Sequence, residues 1–157
     1  MPVRIFLHGL ESSNQGTKAL FFRDHYPDMI IPHFQGGLQE RMEKLRGILS
    51  GLTGIIMVGS SFGGLMATLY AMENPHEVEK LVLLAPAIHK LADTPYGKKK
   101  LLIPVWLYHG VNDEVIPMEE VERFARRCFP HLSFYSVEDD HFLHKTFQTI
   151  DWDGLLT

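Results

Sequence analysis

The stretch Gly59-Ser60-Ser61-Phe62-Gly63 follows the β-like run Ile55-Ile56-Met57-Val58 and opens a segment with helical spacing. A strand that turns this sharply into a helix strains the backbone at the apex. Positions two residues to either side must then be nearly free of side chain. Gly59 and Gly63 meet that need, and Gly64 extends it. The register puts Ser61 at the apex and leaves Ser60 as the variable position. This junction is one of a series. Strand-like runs recur near Val3–Leu7, Met29–Pro32, Ile55–Val58, Leu81–Leu84, Val105–Tyr108 and Leu132–Val137. Helical spacing marks Leu38–Leu49, with Leu38, Met42, Leu45, Ile48 and Leu49 on one stripe, and also Ser61–Asn74 and Met118–Cys128. A further helix is expected over Thr17–His25. Such alternation predicts a mostly parallel, six-stranded sheet with helices on both faces.

A serine hydroxyl is a weak nucleophile until a neighbouring base takes its proton. The base is usually an imidazole oriented by a carboxylate, and downstream of a serine in this setting the order is acid, then histidine. Asp113 follows the apolar run Val105-Trp106-Leu107-Tyr108, and His141 follows the alternating run Leu132–Val137. Ser61, Asp113 and His141 therefore all fall on loops at one edge of a parallel sheet, where ligands bind in open α/β folds. Glu114 is a second candidate acid, with Asp139 and Asp140 remoter ones. His144, three residues beyond His141, is the competing base.

On these residues the chain resembles the α/β-hydrolases from end to end. The resemblance is carried by His8-Gly9-Leu10, Gly59-Ser60-Ser61-Phe62-Gly63-Gly64, Gly110-Val111-Asn112-Asp113-Glu114-Val115-Ile116-Pro117 and Asp140-His141. The opening Leu7-His8-Gly9-Leu10-Glu11-Ser12-Ser13, with Lys18-Ala19, further resembles the compact bacterial esterases of the YqiA type. The resemblance implies a three-layer fold with strand order 2-1-3-4-5-6, lacking the first two antiparallel strands of the superfamily. Many relatives carry a helical cap where this chain has only the short polar connection from Ala87 to Ile103, so no cap domain and an open site are expected.

Acyl transfer develops negative charge on the former carbonyl oxygen, which fixed N–H donors stabilise. The N–H of Phe62, at a helix N-terminus directly after the nucleophile, is the first expected donor, and the N–H of Leu10 the second. A single glycine after His8 argues against a lipase-type H-G-G-G loop. His8, Gly9, Ala87, Ile88, Ile116 and Phe142 are expected to border the nucleophile as an apolar pocket, with Leu10, Phe62 and Val115. Each of these can equally be plain core. Ser12 and Ser13 serve either the substrate's polar part or the cap of the helix near Thr17.

The chain's 157 residues suggest one domain, 1–157, with 45% hydrophobic and 22% charged residues. A net charge of −4 without a basic stripe points away from nucleic acid and anionic membranes. Lys98-Lys99-Lys100 reads as a solvated loop, or else as a contact for an anionic substrate tail. The one cysteine, Cys128, excludes an intrachain disulfide and fits a buried small hydrophobe. Arg4 interrupts any N-terminal apolar run, no signal peptide is recognised, and a cytoplasmic location is expected. Nine histidines lack the spacing of a metal site, and neither dinucleotide nor P-loop patterns occur, so no cofactor and no metal are expected.

The sequence thus reads as a cofactor-free serine hydrolase that cleaves small carboxylic esters through an acyl-Ser61 intermediate. Thioesters are the nearest alternative substrate class. A binding protein on the same fold, or carbon–carbon bond hydrolysis, are the others. An exposed edge strand would allow a homodimer.

Overall fold

The computed structural model describes residues 2–157. Five strands form one sheet in the order β1 (Val3–Leu7), β2 (Ile55–Ser60), β3 (Val78–Leu84), β4 (Val105–Gly110) and β5 (Leu132–Val137), and every neighbouring pair is parallel. Side chains alternate across each strand and both faces are covered, so the strands read as continuous apolar runs. Ile5, Leu7, Ile55, Met57, Leu81, Leu83, Val105 and Leu107 point to one face. Phe6, Ile56, Val58, Val82 and Leu84 point to the other.

The first face is packed by α2 (Leu38–Leu49), α3 (Phe62–Glu73) and α4 (Met118–Cys128). Helix α3 is buried at every position from Gly63 to Met72, which explains why its sequence is apolar all round and not on one stripe. Cys128 is fully buried here. The second face is covered by α1 (Thr17–His25) and by a C-terminal segment containing α5 (Trp152–Leu155), which the sequence reading did not anticipate.

Two expectations change. Met29–Pro32 is not a strand but a single bridge, Ile30 to Ile5, on the free side of β1. Ile30 donates to the Arg4 carbonyl and accepts from Phe6 N–H. Pro32 has no N–H with which to continue that ladder. The position in the sheet is the expected one, but the strand count falls from six to five among the described residues. The connection from Ala87 to Ile103 is short and carries no cap, yet it is not merely polar. It winds through 3₁₀ turns at Ile88–Leu91 and Pro95–Lys98 and buries Ile88, Leu91 and Leu101 in the core. No helix among the described residues is long and apolar enough to cross a membrane.

Candidate active site

Ser61 stands between β2 and α3 with φ 56° and ψ −116°, a left-handed conformation that L-residues rarely adopt. The strain is held by hydrogen bonds on both sides of the residue. Ser61 N–H donates to the Leu84 carbonyl, and its own carbonyl accepts from Gly64, Leu65 and Ala87. A Cβ on Gly59 would overlap the Gly63 carbonyl, and one on Gly63 would overlap the Leu7 carbonyl. The glycines therefore let the turn and the end of β1 approach to backbone contact. Gly9 lies against the elbow from the other side, where a Cβ would meet Ser61 Cβ at 3.4 Å, an ordinary van der Waals contact.

Parallel pairing brings the ends of β2, β3, β4 and β5 to one edge, with Ser60 beside Leu84, Leu84 beside Tyr108, and Gly110 beside Val137. From that edge the loop after β4 carries Asp113 and the loop after β5 carries His141. The two meet: His141 Nδ1 lies 2.7 Å from Asp113 Oδ2. The Asp113 side chain is wholly buried, and its Oδ1 accepts from Val115 N–H and Ile116 N–H, each at 2.8 Å. A carboxylate fixed at both oxygens cannot rotate. Its acceptor character requires Nδ1 of His141 to carry the proton, which leaves Nε2 as the basic nitrogen. Among the described residues no hydrogen bond joins the Ser61 hydroxyl to His141. Such contacts are commonly long in the absence of substrate and close in the reacting complex.

The competing candidates are accounted for by other partners. Glu114 is exposed. Asp139 is buried and accepts N–H bonds from Asp140, Lys145 and Thr146; burial pushes its carboxyl up, but these bonds outweigh it and the net shift is downward. Asp140 is held low mainly by its 2.6 Å contact with His144, a pair on the surface. His144 is thereby engaged away from Asp113. The His141 loop is also tied to α1, through Lys18 Nζ donating to the Phe142 carbonyl at 2.7 Å.

The backbone N–H groups of Leu10 and Phe62 have no hydrogen-bond partner among the described residues. The expected pocket is met only in part. His8 is 1% exposed, and both of its ring nitrogens are engaged, Nδ1 with the Gly9 carbonyl and Nε2 with Phe34 N–H. Burial pushes its pKa down and keeps it neutral. It props the loop after β1 and does not wall a pocket. Ile88 is likewise fully buried in the core and offers no surface to a ligand. Ala87 and Ile116 are nearly buried, while Leu10, Val115 and Phe142 stand exposed on the rim. Two clefts, of about 250 and 290 Å³, are lined by residues near the C-terminal ends of α4 and of α2 and α3. That is the opposite edge of the sheet. The first contains Lys98, Lys99 and Lys100, so the basic cluster is remote from Ser61.

Sequence reasoning assigned no role to His109. It ends the inward alternation Val105, Leu107, His109 on β4, and a polar residue at the buried end of an apolar alternation is the signal that could have marked it. No cluster of metal-ligating side chains occurs among the described residues.

A sequence model of the alpha/beta hydrolase fold matches residues 37–98, from α2 through α3 and β3 to the 3₁₀ turn Pro95–Lys98. No curated protein matches the sequence. Solved structures similar to this chain include alpha/beta hydrolase domain-containing protein 10 from mouse, at TM-score 0.79 and 19% identity over 90% of this chain and 82% of that one. Est1E from Butyrivibrio proteoclasticus, solved with ferulic acid bound, aligns at TM-score 0.78 and 17% identity over 99% of this chain and 86% of that one. An N-formylmaleamic acid deformylase from Pseudomonas putida aligns at TM-score 0.72 and 13% identity over 94% and 90%. The chain has the α/β-hydrolase fold, with no cap domain among the described residues.

Proposed function

From an α/β-hydrolase fold with a strained serine at its elbow, we propose a serine hydrolase that cleaves small carboxylic esters through an acyl-Ser61 intermediate. The observation carrying this reading is the 2.7 Å contact between His141 and the doubly anchored Asp113, at the sheet edge that also presents Ser61 at φ 56°. In the proposed reaction His141 Nε2 takes the proton from Ser61 Oγ as that oxygen attacks the ester carbonyl. Asp113 keeps the imidazole in the Nδ1–H tautomer and stabilises the imidazolium. The unpartnered N–H groups of Leu10 and Phe62 receive the developing oxyanion, and removing one such donor typically costs about 10²–10³ in rate. His141 then protonates the departing alcohol, and water, activated by the same imidazole, releases the acid.

The apolar, exposed rim of Leu10, Val115 and Phe142 and the absence of a cap favour a short or accessible acyl group. The ferulic acid bound to Est1E is a carboxylic acid, the product class of ester cleavage, and agrees with an ester. The deformylase neighbour shows how widely chemistry varies on this fold. A thioester would be handled by the same residues, and the lone, buried Cys128 suits a reducing, cytoplasmic setting.

Labelling with a fluorophosphonate probe and hydrolysis of p-nitrophenyl acetate, for wild type and Ser61→Ala, test the reading. Wild type should label and turn over, and the variant should lose the label and at least about 10³ in kcat. Equal behaviour of the two proteins would remove Ser61 as nucleophile and favour a binding protein on the same fold.

A further inference from the structure

Asp113 Oδ2 has two imidazole neighbours. Besides His141, His109 Nε2 lies 3.2 Å away, and the same nitrogen is 3.1 Å from the Ile116 carbonyl. The Ile116 contact alone has hydrogen-bond geometry, so Nε2 carries the ring's proton and donates it to that carbonyl, with Asp113 Oδ2 beside the same N–H edge. His109 Nδ1 is then bare, and among the described residues it is buried without a partner. Burial pushes the pKa of His109 down, so the ring stays neutral. The side chain has no exposed surface and follows Val105 and Leu107 into the core. An orphaned polar atom inside a protein is unfavourable, and an apolar side chain here would avoid it. What histidine supplies that an apolar residue lacks is the Nε2–H donor.

We infer that His109 is a positioning residue for Asp113: its Nε2–H, bonded to the Ile116 carbonyl, holds the loop that anchors the carboxylate, and the positive N–H edge beside Oδ2 steadies that oxygen toward His141 and tempers the basicity of the imidazole. The inference rests on reading Ser61, Asp113 and His141 as the reacting set. Oδ1 accepts two backbone N–H bonds from the loop after β4, and Oδ2 faces the His141 Nδ1 at 2.7 Å with the His109 N–H edge 3.2 Å away. The bond from His109 to Ile116 ties that loop back to the strand. The other titratable groups facing His109 are His141 and, from the turn Ile88–Leu91, His89.

The test compares wild type, His109→Phe and His109→Gln by the pH profile of kcat/KM, by thermal unfolding, and by the downfield proton resonance of the His141–Asp113 hydrogen bond. In the Phe variant Oδ2, released from His109, should hold the His141 imidazolium more strongly. The acid limb should then move up by several tenths of a pH unit. kcat should fall about tenfold with KM little changed, and the resonance should move. Glutamine keeps an N–H donor near the place of Nε2 and should restore much of both. An unmoved acid limb and resonance in the Phe variant, or equal defects in Phe and Gln, would reduce His109 to core packing. The resonance reads the His141–Asp113 bond without turnover, so failure of the Ser61 reading and failure of this inference separate. Should the Phe variant not fold, histidine ¹⁵N shifts of wild type from about pH 5 to 8 must report a neutral His109 with its proton on Nε2. A charged ring, or one protonated at Nδ1 instead, overturns the assignment.

Discussion

At the scale of single residues, space and backbone conformation decide which glycines the elbow requires. Any side chain at Gly63 would drive into the Leu7 and His8 carbonyls, which are main-chain atoms that cannot swing aside. Gly47, inside α2, has nothing within 4 Å of where a Cβ would stand. The two substitutions to alanine should therefore act in opposite directions. Gly63→Ala should destabilise by about 3 kcal/mol or more, as overpacking against fixed backbone does. Gly47→Ala should stabilise by about 0.5–1 kcal/mol, the helix-interior penalty of glycine. Urea unfolding of the two variants reads both signs, and a stable Gly63→Ala protein would deny the close approach of the elbow to β1.

At the scale of elements, the second face of the sheet depends on the chain's last residues. Trp152 is 3% exposed, packs edge-on against Phe22 with ring centroids 4.9 Å apart, and donates its indole N–H to the Phe147 carbonyl. Lys80 Nζ fastens the segment to β3 through the Leu155 carbonyl at 2.8 Å. Four residues cannot form a helix on their own, so α5 exists because it is packed. Trp152→Ala should cost about 3–5 kcal/mol, the usual range for emptying a large buried aromatic site. A loss below about 1 kcal/mol would show that the segment merely rests on the surface. Sequence spacing marked α2 and α4 because each carries an apolar stripe over three turns. A short helix of this kind has no such period to read.

At the scale of the whole molecule, buried neutral histidines link stability to pH. Burial holds the pKa of His8 and His109 below the ordinary value of 6.5, and that of His89 as well. Below that value the unfolded chain binds protons which the folded chain refuses, so stability must fall as pH falls. Each fully buried histidine contributes at most about 1.4 kcal/mol per pH unit, and the dependence flattens above pH about 7.5. The lowered carboxyls of Asp139 and Asp140 act in the same sense at lower pH, below the ordinary carboxyl value of 3.8. Urea unfolding at about pH 7.5, 6.5 and 5.5 should show stability falling slightly between the first two and more steeply to the third, with a shallower slope in His109→Gln. A flat profile would mean that His8 and His109 take up protons without unfolding.

The sequence by itself determined the alternation of strands and helices and the sterics of the Gly59–Gly63 turn. It also set the order in which Ser61, Asp113 and His141 reach one edge. These are local properties, carried by spacing and side-chain volume within a few residues. The tertiary structure alone decided that Asp113, and not Glu114, Asp139 or Asp140, takes the His141 proton bond across 28 residues of sequence. It also reduced Met29–Pro32 to one bridge, turned His8 and Ile88 inward, and set His109 on the carboxylate. Such outcomes depend on which groups distant in the chain come within hydrogen-bonding distance, and spacing along the chain carries no record of that.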